Sequence, residues 1–299
     1  MSESVQDLPN PLRLQCDLWH MVAITILYWD HVLTFKTEYK CLWKRPSTSG
    51  YLFFLNRYFN ALAVLLSMIS LFDADLHLSC RRLSQFREAL LITTQLIVVA
   101  ILTLRIYALY GCSKRLLYFM LSFTAVLLGV AIFCTCYYPG KVEYETPSGR
   151  CITQYDFKAA SRKAIAWQML LIYDTLLFGL ALHNAFKTRQ ELRTLRNLKY
   201  KTSLKVILLR DGALYFCAMA LVNLVNILTC YTLEGCMRGG LAPVTSSLSV
   251  TMVSRMMLNL HVVVDTGIYL SQYTSQLDEQ QDTRIVFYER RPTRDSFDI

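Results

Sequence analysis

The sequence predicts an all-α integral membrane protein, a bundle of about seven transmembrane helices. Hydrophobic residues make up 54% of the 299-residue chain and charged residues only 18%. Soluble domains have about 45–50% apolar and about 25% charged residues. The apolar residues come in long blocks, and about 20 helical residues cross the hydrocarbon core of a bilayer. Since only a helix satisfies its own backbone groups in lipid, each block is expected to be helical.

Seven apolar blocks define the predicted spans. They cover residues 14–34, 51–72, 89–110, 116–138, 165–186, 206–231 and 241–262. The fourth block contains no charged residue, whereas Asp17, His20, Asp30 and His31 interrupt the first. All seven belong to one membrane domain predicted over residues 1–270. The polar composition of residues 271–299 predicts a disordered cytoplasmic tail.

The Lys and Arg residues of the loops predict the orientation of the chain. Of the 31 basic residues, 17 lie in the first, third and fifth loops and the tail, and 10 lie on the other side. The positive-inside rule therefore places the N-terminus outside and the C-terminus in the cytoplasm. The loop 187–205 has seven basic residues and one acid, Glu191. It is a candidate surface for a cytoplasmic partner, although positive-inside bias explains its charge equally well.

The distribution of basic residues also bears on partners and location. The net charge is +9, but the charges lie in short loops between apolar blocks and not on one soluble face. Nucleic acid is therefore not an expected partner, and the lipid bilayer is. The predicted location is the plasma membrane or another membrane of the secretory pathway.

Polar side chains of five spans are predicted to lie in one layer near the cytoplasmic ends of their helices. At 1.5 Å per residue, Asp30, Arg57, Arg105 and the Arg210–Asp211 pair lie about 6–9 Å inside these ends. The layer comprises Asp30, Asn56, Arg57, Arg105, Arg210, Asp211, Arg255 and Asn259. Charges in lipid usually face the bundle and pair. The surplus of Arg over Asp leaves room for an acidic ligand or a lipid phosphate, but Arg side chains also extend to the interface.

The adjacent Asp30 and His31 first suggest a metal site or a proton relay. Neighbouring residues on a helix point about 100° apart, so the two side chains do not readily share a metal or a proton. A carboxylate near a helix C-terminus is disfavoured by the helix dipole, so a cation is expected to hold it. The candidates are Arg57, Arg105 and Arg255, and we predict an ion pair between helices with a structural role.

Three further residues are candidates for a contact or a disulfide bond. Asp174 lies near the middle of the fifth span, where it suits a ligand or relay contact or, more simply, a hydrogen bond within the bundle. Cys80 and Cys151 lie in two loops predicted to be outside, where a disulfide bond is possible. Pairing with Cys16, Cys136 or Cys236 stays open, because connectivity is not readable from sequence. The His and Cys spacings do not predict a metal site, and no cofactor is expected.

Six short segments occur in a characteristic order. They are DHVLTF, EYKCLWKR, FFLNRYF, RIYALYG, LLRDGALYF and SRMMLNL. The set, which runs from about residue 24 to 262, resembles a family of basidiomycete fungal membrane proteins known chiefly by a domain of unknown function in its N-terminal part. The resemblance implies a helical protein that usually has seven spans, and it implies no established activity. The sequence departs at Leu260, His261 and Val262, where the family pattern has Leu-Arg-Glu.

These features leave several functions open. The predicted topology, the candidate disulfide and the Arg105 and Tyr107 pair at the inner end of the third span favour a receptor-like protein; a structural membrane component fits equally. A small-molecule or ion transporter is the alternative, although few Gly or Pro residues interrupt the spans. A membrane-embedded enzyme is the third possibility, but the familiar catalytic motifs are absent and a non-enzymatic role is expected. The ligand is not predicted.

Overall fold

The structure, a computed structural model, describes residues 11–43, 48–72, 80–137, 142–145, 152–194, 204–233 and 237–262. The backbone alone is described at 11–16, 48, 72, 136–137, 142–145, 152–154, 188–194 and 204–213. The long helices are α1 (Pro11–Glu38), α2 (Thr48–Phe72), α3 (Cys80–Leu109), α4 (Lys114–Tyr137), α5 (Phe157–Thr194), α6 (Leu204–Thr232) and α7 (242–262). Among the described residues, five helices, α2 to α6, are long and apolar enough to cross a membrane. The chain is therefore a multi-pass membrane protein.

Several helices extend beyond the apolar blocks of the sequence. Helix α3 begins nine residues before its predicted span, at Cys80, and α5 exceeds its span at both ends. Residues 80–88, 157–164 and 187–194, predicted as loops, are therefore helical. Hydropathy marks the part of a helix that matches hydrocarbon, whereas intrahelical hydrogen bonds form equally well in the polar interface. The predicted tail, 271–299, lies outside the described residues.

Local sequence signals explain how several helices begin and end. Gly111 follows α3 with a φ of 66°, and the Cys112 amide donates to the Tyr107 carbonyl at 3.0 Å. This bond closes the helix end and turns the chain toward α4. Asp156 caps α5, because its Oδ1 accepts a hydrogen bond of 2.7 Å from the Phe157 amide. Pro11 opens α1, where a missing N–H is tolerated.

A short antiparallel hairpin lies between α4 and α5, in a loop for which the sequence predicted no strand. Strand β1 (Val142–Glu145) pairs with β2 (Ile152–Tyr155), and Val142 lies opposite Tyr155. Both strands contain β-branched and aromatic residues, which favour extended backbone. The hairpin adds a small β element to a helical bundle and brings Tyr155 to the ends of α3 and α5.

The helices pack as an antiparallel bundle. Helix α5 contacts α3, α4 and α6, and α2 contacts α1 and α3. Helix α7 contacts α1, α2 and α6 through side-chain hydrogen bonds. The hydrophobic core lies between the helices and includes the fully buried residues Phe53, Leu102, Leu177 and Val250.

The surface of the bundle is apolar and its interior is partly polar. Large hydrophobic side chains are strongly exposed on several helices, among them Trp29, Val32 (71% exposed), Val126 and Leu214. Buried polar side chains include Asn56, Asn60, Gln95, Asp174, Asn223 and Asn226. A soluble protein has the opposite distribution, since exposed apolar surface of this extent requires an apolar solvent. The helices therefore associate with a lipid bilayer.

Candidate functional site

A cavity of about 170 Å³ lies at the end of the bundle that carries the hairpin, here called the hairpin end. Successive helices run in opposite directions, so the start of α1, α3, α5 and α7 and the end of α2 meet at this end. The lining residues are Asp17, His20, Ala23, Asn60, Ala63, Val64, Ser67, Leu71, Ser84, Arg87, Glu88, Leu90, Leu91, Thr94, Tyr155, Lys163, Arg238, Gly239, Gly240, Ala242, Pro243 and Ser246. The sequence predicted no site here.

Charged side chains of both signs line the cavity. Arg87, Lys163 and Arg238 are basic, and Asp17 and Glu88 are acidic. With His20 neutral, the described lining residues carry one more positive than negative charge. Aliphatic side chains of α2 and α3 form much of the remaining wall. The cavity is therefore amphipathic and weakly basic.

One acid of the cavity is neutralised within the protein. Lys163 Nζ donates to Glu88 Oε1 at 2.5 Å, and the Tyr155 hydroxyl donates to the same oxygen at 2.8 Å. Lys163 Nζ also lies 3.7 Å from the centre of the Tyr155 ring. Burial raises the pKa of the Tyr155 hydroxyl, so it stays protonated and remains a donor. These contacts hold the hairpin against α3 and α5.

Toward the described residues, the two Arg residues of the cavity use only part of their hydrogen-bonding capacity. Among the described residues, Arg87 donates from Nη1 to the Ser70 carbonyl at 3.5 Å. Arg238 donates from Nε to the Leu233 carbonyl at 2.8 Å, and its guanidinium carbon lies 5.3 Å from the centre of the Phe157 ring. A guanidinium has five N–H donors. Within the described part of the chain, most of these donors have no hydrogen-bond partner.

A cluster of ionised side chains lies at the opposite end of the bundle. This ion-pair cluster consists of Asp30 and Glu38 from α1, Arg57 from α2 and Arg255 from α7. Arg57 Nη1 donates to Asp30 Oδ2 at 3.2 Å, and Arg255 Nε donates to Asp30 Oδ1 at 2.6 Å. Arg57 Nε lies 3.1 Å from Glu38 Oε2. Two cations thus meet two carboxylates, and the cluster is neutral overall.

Neighbouring donors and acceptors add further hydrogen bonds to this cluster. Arg57 Nη2 donates to the Thr34 hydroxyl at 2.6 Å. The Tyr58 hydroxyl and the Trp43 indole N–H donate to Glu38 Oε1 at 2.8 Å and 3.3 Å. A π-helical turn, Tyr39–Trp43, continues α1 and brings Trp43 back toward Glu38. Because Arg57 is only 1% exposed and Glu38 is fully buried, these contacts replace water around the charges.

Glu38 is the member of the cluster that sequence reasoning missed. The predicted first span ends at residue 34, so Glu38 falls in a predicted loop. Asp30, Thr34 and Glu38 are spaced four residues apart and therefore lie on one face of a continuous helix. That spacing is the signal in the sequence. The second carboxylate removes the predicted surplus of cations at this position.

A polar seam between α2 and α7 connects the cavity with the cluster. Asn60 and Ser246 line the cavity. One turn farther along α2, Asn56 Nδ2 donates to the Ser254 hydroxyl at 3.2 Å and to the Val250 carbonyl at 3.4 Å. Arg57 and Arg255 follow directly in the chain. The same pair of helices thus contributes to both ends of the bundle.

The remaining residues of the predicted layer lie apart from the cluster. Asn259 Nδ2 donates to the Tyr215 hydroxyl at 2.9 Å on the exposed face of α7. Arg105 is half-buried on α3 and makes no ion pair with the cluster within the described parts of the chain. Arg210 and Asp211 belong to α6, but their side chains are outside the described residues. His31 Nδ1 contacts the Leu27 carbonyl of its own helix at 2.8 Å.

The structure also describes Asp174 and one cysteine of the candidate disulfide, Cys80. Asp174 is buried, and its Oδ2 accepts a hydrogen bond of 2.6 Å from Asn223 Nδ2. Cys80 is in a disulfide bond, whereas Cys151 lies outside the described residues. The proposed pairing of these two cysteines stays a prediction. Within the described ranges, His, Cys, Asp and Glu side chains form no group of three that suits a metal ion.

The fold defines a multi-pass helical membrane protein whose helices contribute to two polar assemblies. Residues 19–60 match DUF6533, a family of unknown function. The match covers most of α1 and the first half of α2, and so contains Asp30, Glu38, Asn56 and Arg57. A domain of unknown function therefore occupies the N-terminal part of the chain, as the sequence motifs suggested. No curated protein and no solved structure matches the chain significantly.

Proposed function

We propose that the protein is a receptor-like membrane protein with seven spans, which binds a small ligand in the cavity at the hairpin end. The N-terminus and the cavity face outward, and the C-terminus lies in the cytoplasm. The observation that carries the proposal is the arrangement of two polar assemblies at opposite ends of the same three helices, α1, α2 and α7. A ligand-binding cavity at one end and an ion-pair cluster at the other suit a protein that transmits a ligand-binding signal across a membrane.

The burial of polar residues supports α1 and α7 as the two additional spans. Helix α1 has 28 residues, which extend about 42 Å and exceed the hydrocarbon thickness. Its low hydropathy comes partly from Asp30, which faces the bundle, while Trp29 and Val32 are exposed on its outer face. In α7 the Ser and Thr residues are buried as well, including Thr245 and Ser249. The lipid-facing surface of both helices is therefore less polar than their composition.

Packing between the two ends favours binding over transport. Leu27 on α1 and Val250 on α7 are at most 1% exposed and belong to the hydrophobic core. They lie between the cavity residues and the ion-pair cluster along their helices. A transporter needs a path that opens to each side in turn. These buried apolar side chains, together with the hydrogen bond from Asn56 to Ser254 that closes the polar seam, support a cavity that is accessible from one side.

Helix α7 provides a route from the ligand to the far end. Its first turns contribute Ala242, Pro243 and Ser246 to the cavity, and Arg255 near its other end pairs with Asp30 at 2.6 Å. A ligand that shifts α7 changes the geometry of this pair, because ordered helices move as units. The basic loop 187–205 is the proposed contact for a cytoplasmic partner, and residues 195–203 of it lie outside the described residues.

The test is the sidedness of the cavity, which requires no knowledge of the ligand. Ser67 lines the cavity and is half-buried, so Ser67→Cys places a thiol inside it. A membrane-impermeant thiol reagent is applied separately to each face of sealed vesicles, in a background with Cys112→Ser and Cys217→Ser. We expect modification from the hairpin face alone. Native Cys112, exposed in the turn after α3, marks the opposite face when retained, and Ser122→Cys on lipid-facing α4 is the unreactive control.

Modification of Ser67→Cys from both faces contradicts the receptor-like function and supports the transporter. A second test adds a protease-sensitive tag to each terminus and applies the protease to one face of the vesicles at a time. Cleavage of both tags from the same face contradicts the seven-span topology. Each result is independent of the chemistry of the ligand.

A further inference from the structure

We infer that the cavity binds a small organic carboxylate with a short apolar chain, anchored by Arg87. This inference rests on the proposed function, because it assigns a ligand class to the same cavity. It is carried by the charge of the lining, the contacts of Arg87 and the size and composition of the walls.

Charge selects a ligand with one negative group. Three basic and two acidic side chains are among the described residues of the lining, so one added negative charge balances them. Lys163 is already paired with Glu88 at 2.5 Å, and Arg238 is placed by the Leu233 carbonyl and the Phe157 ring. Among the described hydrogen bonds of these three residues, the one from Arg87 to the Ser70 carbonyl is the longest, at 3.5 Å. Its guanidinium is thus the best placed to receive an anion.

The geometry of a guanidinium favours a carboxylate. Its N–H groups form a planar fork that donates two parallel hydrogen bonds to the two oxygens of a carboxylate. Arg87 stands on α3 between α2, which provides Ser70, and the Glu88 pair beside it. An ammonium ligand meets repulsion from the surplus positive charge. A neutral ligand leaves that charge uncompensated in a partly buried site.

The walls and the volume of the cavity determine the polarity and the size of the rest of the ligand. Ala63 and Val64 from α2 and Leu90 and Leu91 from α3 provide an apolar surface beside Arg87. One water occupies about 10–15 Å³ of such a volume. The cavity of about 170 Å³ therefore suits a ligand of roughly ten non-hydrogen atoms. A short-chain acid fits, whereas a membrane fatty acid of ordinary length exceeds the cavity.

The test compares three probes with the same chain and different head groups: hexanoate, hexanol and hexylamine. Thermal unfolding of the full chain in zwitterionic nanodiscs is followed by tryptophan fluorescence as a function of probe concentration, which yields an apparent Kd. We expect hexanoate to raise the Tm and the other two probes to leave it unchanged. Arg87→Gln is expected to weaken hexanoate binding by about tenfold or more, since a charge-assisted hydrogen bond is lost. Arg82→Gln, at an exposed position of the same helix, is the matched control and retains binding.

Several outcomes overturn the inference. These are equal stabilisation by hexanol, absence of any shift with hexanoate, or undiminished binding by Arg87→Gln. Tighter binding of palmitate than of hexanoate assigns the site to a lipid and refutes a short-chain ligand. If Arg87→Gln does not fold, the head-group comparison on the wild-type chain decides. If Ser67→Cys is labelled from one face only and hexanoate does not bind, this inference is wrong and the proposed function is retained. If hexanoate binds but Ser67→Cys is labelled from both faces, the proposed function is wrong and the ligand class is retained.

Discussion

Replacement of Arg57 by Met is the most informative perturbation of the bundle. Arg57 is 1% exposed and contacts both carboxylates of the ion-pair cluster. Met has a similar length and fills most of the same space without a charge. Asp30 then keeps Arg255, and Glu38 keeps two hydrogen bonds from Tyr58 and Trp43 but has no cation. The variant thus leaves a buried carboxylate uncompensated.

The expected loss follows from burial. Removing one partner of a buried ion pair costs about 3–5 kcal/mol of the free energy of unfolding, because the remaining charge stays buried. Arg255 pairs with the same Asp30 at a shorter distance, 2.6 Å, but its side chain is 43% exposed. A half-exposed pair contributes about 0–1 kcal/mol after solvent screening. Arg57→Met is therefore expected to destabilise the bundle by several times as much as Arg255→Met, although Arg255 has the shorter contact.

The assay is unfolding by increasing SDS in mixed micelles, with helix content followed by circular dichroism. Arg255→Met is the matched control, and Arg57→Met with Glu38→Leu tests the cause. Removal of the uncompensated carboxylate is expected to restore part of the loss. Equal destabilisation by Arg57→Met and Arg255→Met refutes the reasoning, as does a double variant that is no more stable than Arg57→Met alone.

Three further predictions concern other parts of the bundle. Asn223→Leu removes the hydrogen bond to buried Asp174 and is expected to cost about 1–3 kcal/mol, measured in the same SDS titration; a loss below that of an exposed Ser122→Ala refutes it. The pKa of Tyr155 is raised in the folded protein, which means that folding favours its protonated hydroxyl. This contribution to stability is fully present below the pKa of an unfolded Tyr, about 10, and is lost as the pH rises through the pKa of the folded state. Tyr155→Phe should therefore show a shallower decline in Tm at alkaline pH than wild type, and parallel declines contradict this. Cys80→Ser removes a disulfide and is expected to lower stability by about 2–4 kcal/mol, in contrast to the free Cys112→Ser; equal Tm values for both refute the prediction.

The sequence was most informative where one physical requirement dominated. Crossing a bilayer needs about 20 apolar helical residues, and a helix occupies each predicted span, including the more polar first and seventh. Helix ends were less predictable, because the interface tolerates helix and loop equally. The pairing of Asp30 with a cation was predictable, because an unpaired carboxylate in lipid costs free energy. The choice of Arg57 and Arg255 over Arg105 depends on which helices are neighbours.

The cavity was not predictable from the sequence. Its charged residues, such as Arg87 and Lys163, lie 76 positions apart in segments predicted as loops, and each alone is an ordinary loop cation. Their proximity arises because α3 starts at Cys80 and α5 at Phe157 at the same end of the bundle. The hairpin then adds Tyr155 to the wall.

The apolar composition of the chain was enough to predict a set of helices that associate with a bilayer. Hydrophobic burial in lipid depends on composition along each segment, and composition is local. Three features follow from helix packing instead: Asp30 is shared by two Arg residues, Glu38 balances their charge, and an amphipathic cavity lies at the other end of the bundle. These features depend on which faces of distant helices meet, because Coulomb and hydrogen-bond energies fall off within a few ångströms and so act only between side chains that packing brings together.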